Sequence, residues 1–172
     1  MILEKEKKIK RKLPKNFTQK HILMFERDLN YTLPNVEIIK LSNFNLNSDG
    51  YIWKNFVFHR ESNRNRIRPK INFLNKIKFF LRSFFEKKTK IDQGLWVIDS
   101  WSNNYFHWVG DVLYKLYLSK QLKRDLKLVI PRSFEKISFV KYSLEFLNIK
   151  YVIVEDNFNV KVKNLYIISE FY

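Results

Sequence analysis

The chain contains no cysteine, which excludes disulfide staples and thiolate metal sites and is compatible with a reducing compartment. Glycine and proline are scarce, with 3 and 4 in 172 residues, so long flexible linkers are not expected. Neither glycine-rich phosphate loop occurs: there is no GxGxxG and no GxxxxGK[ST]. A bound cofactor is therefore not expected. No run approaches the ~20 apolar residues of a membrane-spanning helix. The N-terminus, MILEKEKKIKRKLPKNF, is charged where a secretory signal is apolar. These absences predict a cytoplasmic protein that meets a membrane, if at all, from its inner face. Acidic residues are also few, 17 against 33 Lys and Arg, which leaves a formal charge of +16.

What is present is apolar and aromatic. A hydrophobic fraction of 45% and an aromatic fraction of 17% predict a packed core rather than a disordered chain. The positive charge fits a nucleic acid, an anionic lipid or an anionic substrate. It also fits plain compositional drift, since Lys, Asn, Ile and Phe are enriched together. No nucleic-acid-binding motif is present, so nucleic acid is not expected as a partner. The densest basic runs are Lys5–Lys12 and Arg60–Lys90.

Three regions are expected: a charged lead-in over 1–20, a β layer with a basic helix over 21–92, and an α/β unit over 93–172. Gln19–Leu29 is a candidate short helix. Val36–Leu41 is β-branched, follows a proline and predicts a strand. Asn47-Ser48-Asp49-Gly50 is turn chemistry, and Tyr51–Phe58 alternates as a second strand. Arg60–Lys70 is a polar loop. Phe73, Leu74, Ile77, Phe80, Leu81, Phe84 and Phe85 then recur at helical spacing. Two readings of that helix stand: a membrane-surface helix facing anionic lipid, or a helix packed on a sheet with a solvated basic face.

From residue 94 the pattern becomes strand–helix–strand. Gly94–Asp99, Leu126–Ile130, Tyr151–Val154 and Leu165–Ile168 predict strands. Helices are expected over about Asn104–Gln121 and Glu135–Leu147. Apolar runs without alternation, separated by helices, predict a parallel sheet covered on both faces. The fold class is thus α/β, a Rossmann-like parallel sheet with flanking helices, preceded by a small β layer.

Chemistry concentrates between Trp96 and Leu118. A strand ends near Asp99, a polar turn Ser100-Trp101-Ser102-Asn103 follows, and a helix starts near Asn104. Ser102, Asn103 and Asn104 are each candidate N-caps. The turn sits at the carboxyl end of a parallel strand, where open α/β sheets build their sites. His107 and Asp111 are four apart and share a helix face, as a general base and its orienting carboxylate would. Either could be the base. Such pairs also occur on helices with no chemical role. Gly110, between them, would allow close approach of a neighbouring backbone. Tyr105, Trp108, Val112, Leu113 and Leu116 are read as core, with Trp101 and Tyr105 also able to stack on a sugar ring.

The string Asn104-Tyr105-Phe106-His107-Trp108-Val109-Gly110-Asp111-Val112-Leu113 resembles the signature of glycosyltransferase family 61, whose bacterial members act in capsular polysaccharide biosynthesis. The segment Asn47–Ser62 is similar to that family's N-terminal region. The resemblance implies an inverting transfer of sugar from a nucleotide-sugar donor to a polysaccharide, glycan or lipid-linked acceptor, with no obligatory metal. No Asp-x-Asp pair occurs. His107 and Asp111 would be catalytic, and Trp101, Asn104, Tyr105 and Lys115 acceptor-binding. Lys115 stands where the family carries Arg, so a bidentate grip on an anion is lost. The resemblance also implies a two-domain GT-B enzyme, longer than this chain, whose C-terminal domain holds the donor. On that basis this chain supplies the acceptor half, and these 172 residues alone are expected to be inactive. The alternative expectation is a catalytically inactive truncated remnant or an acceptor-binding half-enzyme.

Overall fold

The computed structural model describes residues 1–12, 29–48, 50–59, 77–81, 83, 89–99, 101–122, 124–155 and 159–169. The Gln19–Leu29 helix (but for Leu29), the Arg60–Lys70 loop and Phe73, Leu74, Phe84 and Phe85 lie outside the described residues. The chain divides into two compact units, one of Met1–Ile39 with Ile168–Tyr172 and one of Lys40–Ile167.

In the first unit the charged lead-in pairs as strands. β1 (Ile2–Glu4) runs antiparallel to the start of β4 (Val36–Asn47), with Ile2 opposite Glu37. β2 (Lys7–Lys10) and β3 (Asn30–Leu33) form an antiparallel ribbon from Lys7–Leu33 to Lys10–Asn30. Ile9 alone in β2 is half-buried, which is why its sequence shows charge rather than a strand pattern. The amide of Ser169 donates to the Glu37 carbonyl at 2.8 Å, and the Glu37 amide donates to Ser169 Oγ at 2.6 Å.

The second unit is a mixed α/β layer structure with a mostly parallel sheet. Its further strands are β5 (Ile52–Lys54), β6 (Val57–Phe58), β7 (Thr89–Trp96), β8 (Lys127–Pro131), β9 (Tyr151–Val154) and β10 (Asn159–Ile168). The order across the sheet is β6-β5-β4-β10-β7-β8-β9. β10 pairs parallel with β7 from Val160–Thr89 to Ile167–Trp96, β7 with β8 at Leu95–Leu128, and β8 with β9 from Leu128–Tyr151 to Pro131–Val154. Leu128, Val129 and Ile130 are consecutive and fully buried, as in a parallel strand covered on both sides. Burial of each such side chain contributes about 1.5–3 kcal/mol.

The two early strands, expected as a β layer ahead of the α/β unit, lie in the same sheet as it. β4 pairs antiparallel with β5 at Asn45–Trp53 and Leu46–Ile52. The expected Asn47–Gly50 turn is closed by the Gly50 amide on the Asn47 carbonyl at 3.0 Å; Asp49 lies outside the described residues. Tyr51–Phe58 is not one strand. It folds back at Asn55 and Phe56, both with positive φ (49° and 61°), so that Lys54 pairs with Val57 and Trp53 with Phe58. This is the two-residue turn whose twist suits a hairpin.

Two helical segments link the parallel strands. After β7, Tyr105–His107 is α-helical, Trp108–Val112 makes a π turn, and Leu113–Ser119 returns to α. Trp108, Val112 and Leu116, spaced by four, are all fully buried. After β8, a short turn of helix at Arg132–Glu135 leads into the helix Ser138–Phe146. Its Val140 and Leu144 are buried, and its Ser143 Oγ accepts a 2.8 Å hydrogen bond from Trp108 Nε1. That bond satisfies an indole buried between Phe134 and Phe139, and it joins the two helical segments side by side.

Candidate functional site

Numbered in chain order, the parallel strands β7, β8, β9 and β10 stand across the sheet as fourth, first, second, third. The chain builds outward from β7 through β8 to β9 and then adds β10 on the other side of β7. The carboxyl end of β7 is therefore the point where strand order reverses, the place at which open α/β sheets bind ligands.

The turn leaving β7 is held by Asp99. Its Oδ1 accepts from the Trp101 amide at 2.9 Å and from Ser102 Oγ at 2.8 Å, while Ser102 Oγ accepts from the Asp99 amide at 3.0 Å. Ser102 is buried, so this reciprocal clasp is sheltered from competing water. An Asp with a Ser three residues on is its local signal in the sequence. Of the three candidate caps, Asn104 is the one used: its Oδ1 accepts from the Phe106 amide at 3.0 Å. Its side chain oxygen thus starts the helix. Ser100 lies outside the described residues.

His107 and Asp111 meet as their spacing predicts. His107 Nδ1 lies 2.9 Å from Asp111 Oδ2, with the side chains 42% and 22% exposed. An ionised carboxylate can only accept, so Nδ1 carries the hydrogen of this bond; in a neutral imidazole Nε2 then holds the lone pair. The Trp101 ring lies 5.5 Å from the His107 ring, tilted by 43°. Trp101, Tyr105 and Phe106 are all exposed. Tyr105 was expected in the core, but its ring instead meets Phe139 edge-on at 5.4 Å from the outside. Of these three exposed rings, that of Trp101 lies against His107.

Two expectations change here. Lys115 is buried, whereas Trp101 and Tyr105 are exposed. Among the described residues, and leaving its own helix aside, no heavy atom lies within 4 Å of where a Gly110 Cβ would stand, so the helix surface beside the pair is low and open.

The parallel strands β8 and β9 end at the same edge of the sheet. There the Arg132 guanidinium donates to both carboxylate oxygens of Glu155 and reaches Glu135 Oε2 at 3.3 Å. These hydrogen bonds, aided by the opposite charge, hold the Glu155 carboxyl below its ordinary range. Among the described residues, no group of three or more His, Cys, Asp and Glu could hold a metal ion, and no helix is long and apolar enough to cross a membrane.

No family model, no curated protein and no solved structure matches this chain.

Proposed function

We propose that the chain serves glycosyl transfer, moving a sugar from a nucleotide-sugar donor to a glycan or polysaccharide acceptor, as its resemblance to glycosyltransferase family 61 implies. The observation that supports this reading is the half-exposed His107–Asp111 pair at the strand-order reversal. With Nδ1–H held by the carboxylate, Nε2 of His107 is the atom that takes a proton. An acceptor hydroxyl gives its proton to Nε2 while its oxygen bonds to the anomeric carbon. The bond from that carbon to the donor's phosphate oxygen breaks, and the nucleotide leaves with the electron pair. Attack opposite the leaving group inverts the anomeric centre. Asp111 orients the ring and stabilises the imidazolium that forms.

Trp101 and Tyr105 are the groups on which an acceptor sugar ring would stack: both are exposed, and the Trp101 ring lies against His107. The resemblance assigns the donor to a second domain of a GT-B enzyme, in which the Rossmann-like sheet described above would be the first.

The test uses the product of the whole reading frame, assayed with a panel of nucleotide sugars and glycan acceptors. His107→Ala is expected to lower turnover about 100-fold or more, the usual scale for a general base. Wild-type turnover in that variant overturns the assignment of the base. No transfer from any donor overturns the glycosyltransferase reading itself.

A further inference from the structure

Register sets four side chains in one row across the sheet: Tyr166 of β10 beside Leu95 of β7, Leu95 beside Leu128 of β8, and Leu128 beside Tyr151 of β9. Neighbours in register share a face. Leu116, from the helix Leu113–Ser119, meets the middle of this row, but the two layers do not close. A cavity of about 140 Å³ remains, lined by Leu95, Leu116 and Leu128. All three leucines are buried. Ser119 also lines the cavity and is too short to fill it; its hydroxyl turns back to the Leu116 carbonyl at 2.7 Å.

The solvent side of the same cavity is cationic. Lys120, Arg124 and Asp125, on the way into β8, and Lys150, on the way into β9, all line it and are all exposed. Three cations minus one acid give this lining a net +2. Lys150 Nζ is 2.9 Å from Asp125 Oδ2, so the charges of Lys120 and Arg124 are left over. Arg124 is held in place. Its Nη1 donates to the hydroxyl of Tyr166, and its guanidinium carbon lies 5.6 Å from that ring's centroid. Among the described residues the rest of the guanidinium makes no hydrogen bond. A fork fixed at one nitrogen keeps its other N–H groups for an anion.

We infer that this cavity binds a small organic anion, whose carboxylate or phosphate meets Arg124 and Lys120 and whose apolar body rests on the three leucines. The volume limits that body to about the size of benzene, which leucine-lined cavities of this scale accept. A bare inorganic ion would match the cations and leave the leucines wet. An uncharged apolar molecule would cover the leucines and leave the cations unmatched. The inference is independent of the glycosyl-transfer reading.

The test titrates the full chain with benzoate, phenyl phosphate, inorganic phosphate and benzyl alcohol, followed by backbone amide shifts in NMR. Benzoate or phenyl phosphate is expected to bind and to move the amides of Leu116, Leu128 and Ile149, and the tighter of the two names the head group. Inorganic phosphate and benzyl alcohol, each lacking one half of the ligand, should bind roughly tenfold more weakly. Added salt should weaken the anions and leave benzyl alcohol unaffected. The decisive variant is Asp125→Asn, which raises the charge of the lining from +2 to +3. It is expected to tighten the aromatic anion about two- to fivefold, the scale of one exposed charge. A disturbed fold cannot produce tighter binding. Lys120→Gln should weaken the same anion by a similar factor. The proposal is overturned if neither aromatic anion binds at millimolar concentration, or if benzyl alcohol binds as tightly as benzoate. Unchanged or weaker binding by Asp125→Asn overturns it too, as do shifts centred on His107 instead of the cavity.

Discussion

His107 Nδ1 and Asp111 Oδ2 stand 2.9 Å apart on one helix face, and both side chains reach solvent. A pair this exposed contributes only about 0–1 kcal/mol to folding. If its purpose is to fix the imidazole tautomer, the cost of breaking it appears in turnover rather than in stability. Asp111→Asn is therefore expected to leave the urea midpoint nearly unchanged while lowering kcat by tenfold or more, with a smaller change in KM. A variant that loses stability and keeps its turnover would make the pair a structural bond.

Gly94 sits in β7 between two neighbouring strands. A Cβ added there would stand 2.8 Å from Val129 Cγ2 on β8 and 3.4 Å from Val162 Cγ1 on β10. Both methyls belong to buried side chains with little room to move. Gly94→Ala is expected to cost about 1–3 kcal/mol by overpacking, read as a drop in the urea midpoint with the slope preserved. The double variant Gly94→Ala with Val129→Ala should recover part of the loss, because the second change removes the clashing methyl.

The opposing pulls of local and long-range order explain which parts of this fold were legible. Tyr151–Val154 is a strand where the sequence predicts one, and the His107–Asp111 contact follows from a spacing of four. Both are local. β10 was read only from Leu165, because Lys161 and Lys163 interrupt its apolar pattern; the structure extends it back to Asn159, with Val160 and Val162 buried between exposed lysines. The hairpin at Asn55-Phe56 is not legible in the sequence, because Phe carries no turn signal. The π turn has no signature in residue types at all. The strand order, which makes the end of β7 the reversal point, is set by pairing between distant segments and cannot be seen in periodicity.

Glu155 supplies a prediction in pH. Its folded carboxyl is held below its ordinary range by the hydrogen bonds from Arg132, so the folded state favours the ionised form. The resulting stabilisation is present above the unfolded-state pKa and is lost as pH falls through the lower folded value. Thermal melts of wild type and Glu155→Gln should therefore differ most near neutral pH and converge under acid. Because the pair is exposed, added salt should narrow the gap as well. A gap that widens on acidification would show that Glu155 acts through something other than its charge.

The Asp99–Ser102 clasp connects the fold to the candidate chemistry. Ser102 is buried, gives its hydroxyl hydrogen to Asp99 Oδ1 and accepts from the Asp99 amide. Ser102→Ala removes both bonds at once and strands a sheltered amide, at a cost of about 1–3 kcal/mol. The same turn carries Trp101, whose amide is held by Asp99 and whose ring lies against His107. Loosening the turn should thus release the ring that roofs the imidazole. The expected result is a lower melting temperature together with a raised acceptor KM, whereas the donor KM should hold. Trp101→Ala separates the two effects, since its exposed ring contributes little to folding; it should raise the acceptor KM without moving the melting temperature. If Ser102→Ala lowers stability but leaves the acceptor KM unchanged, the turn is a structural staple alone and Trp101 has no part in holding the acceptor.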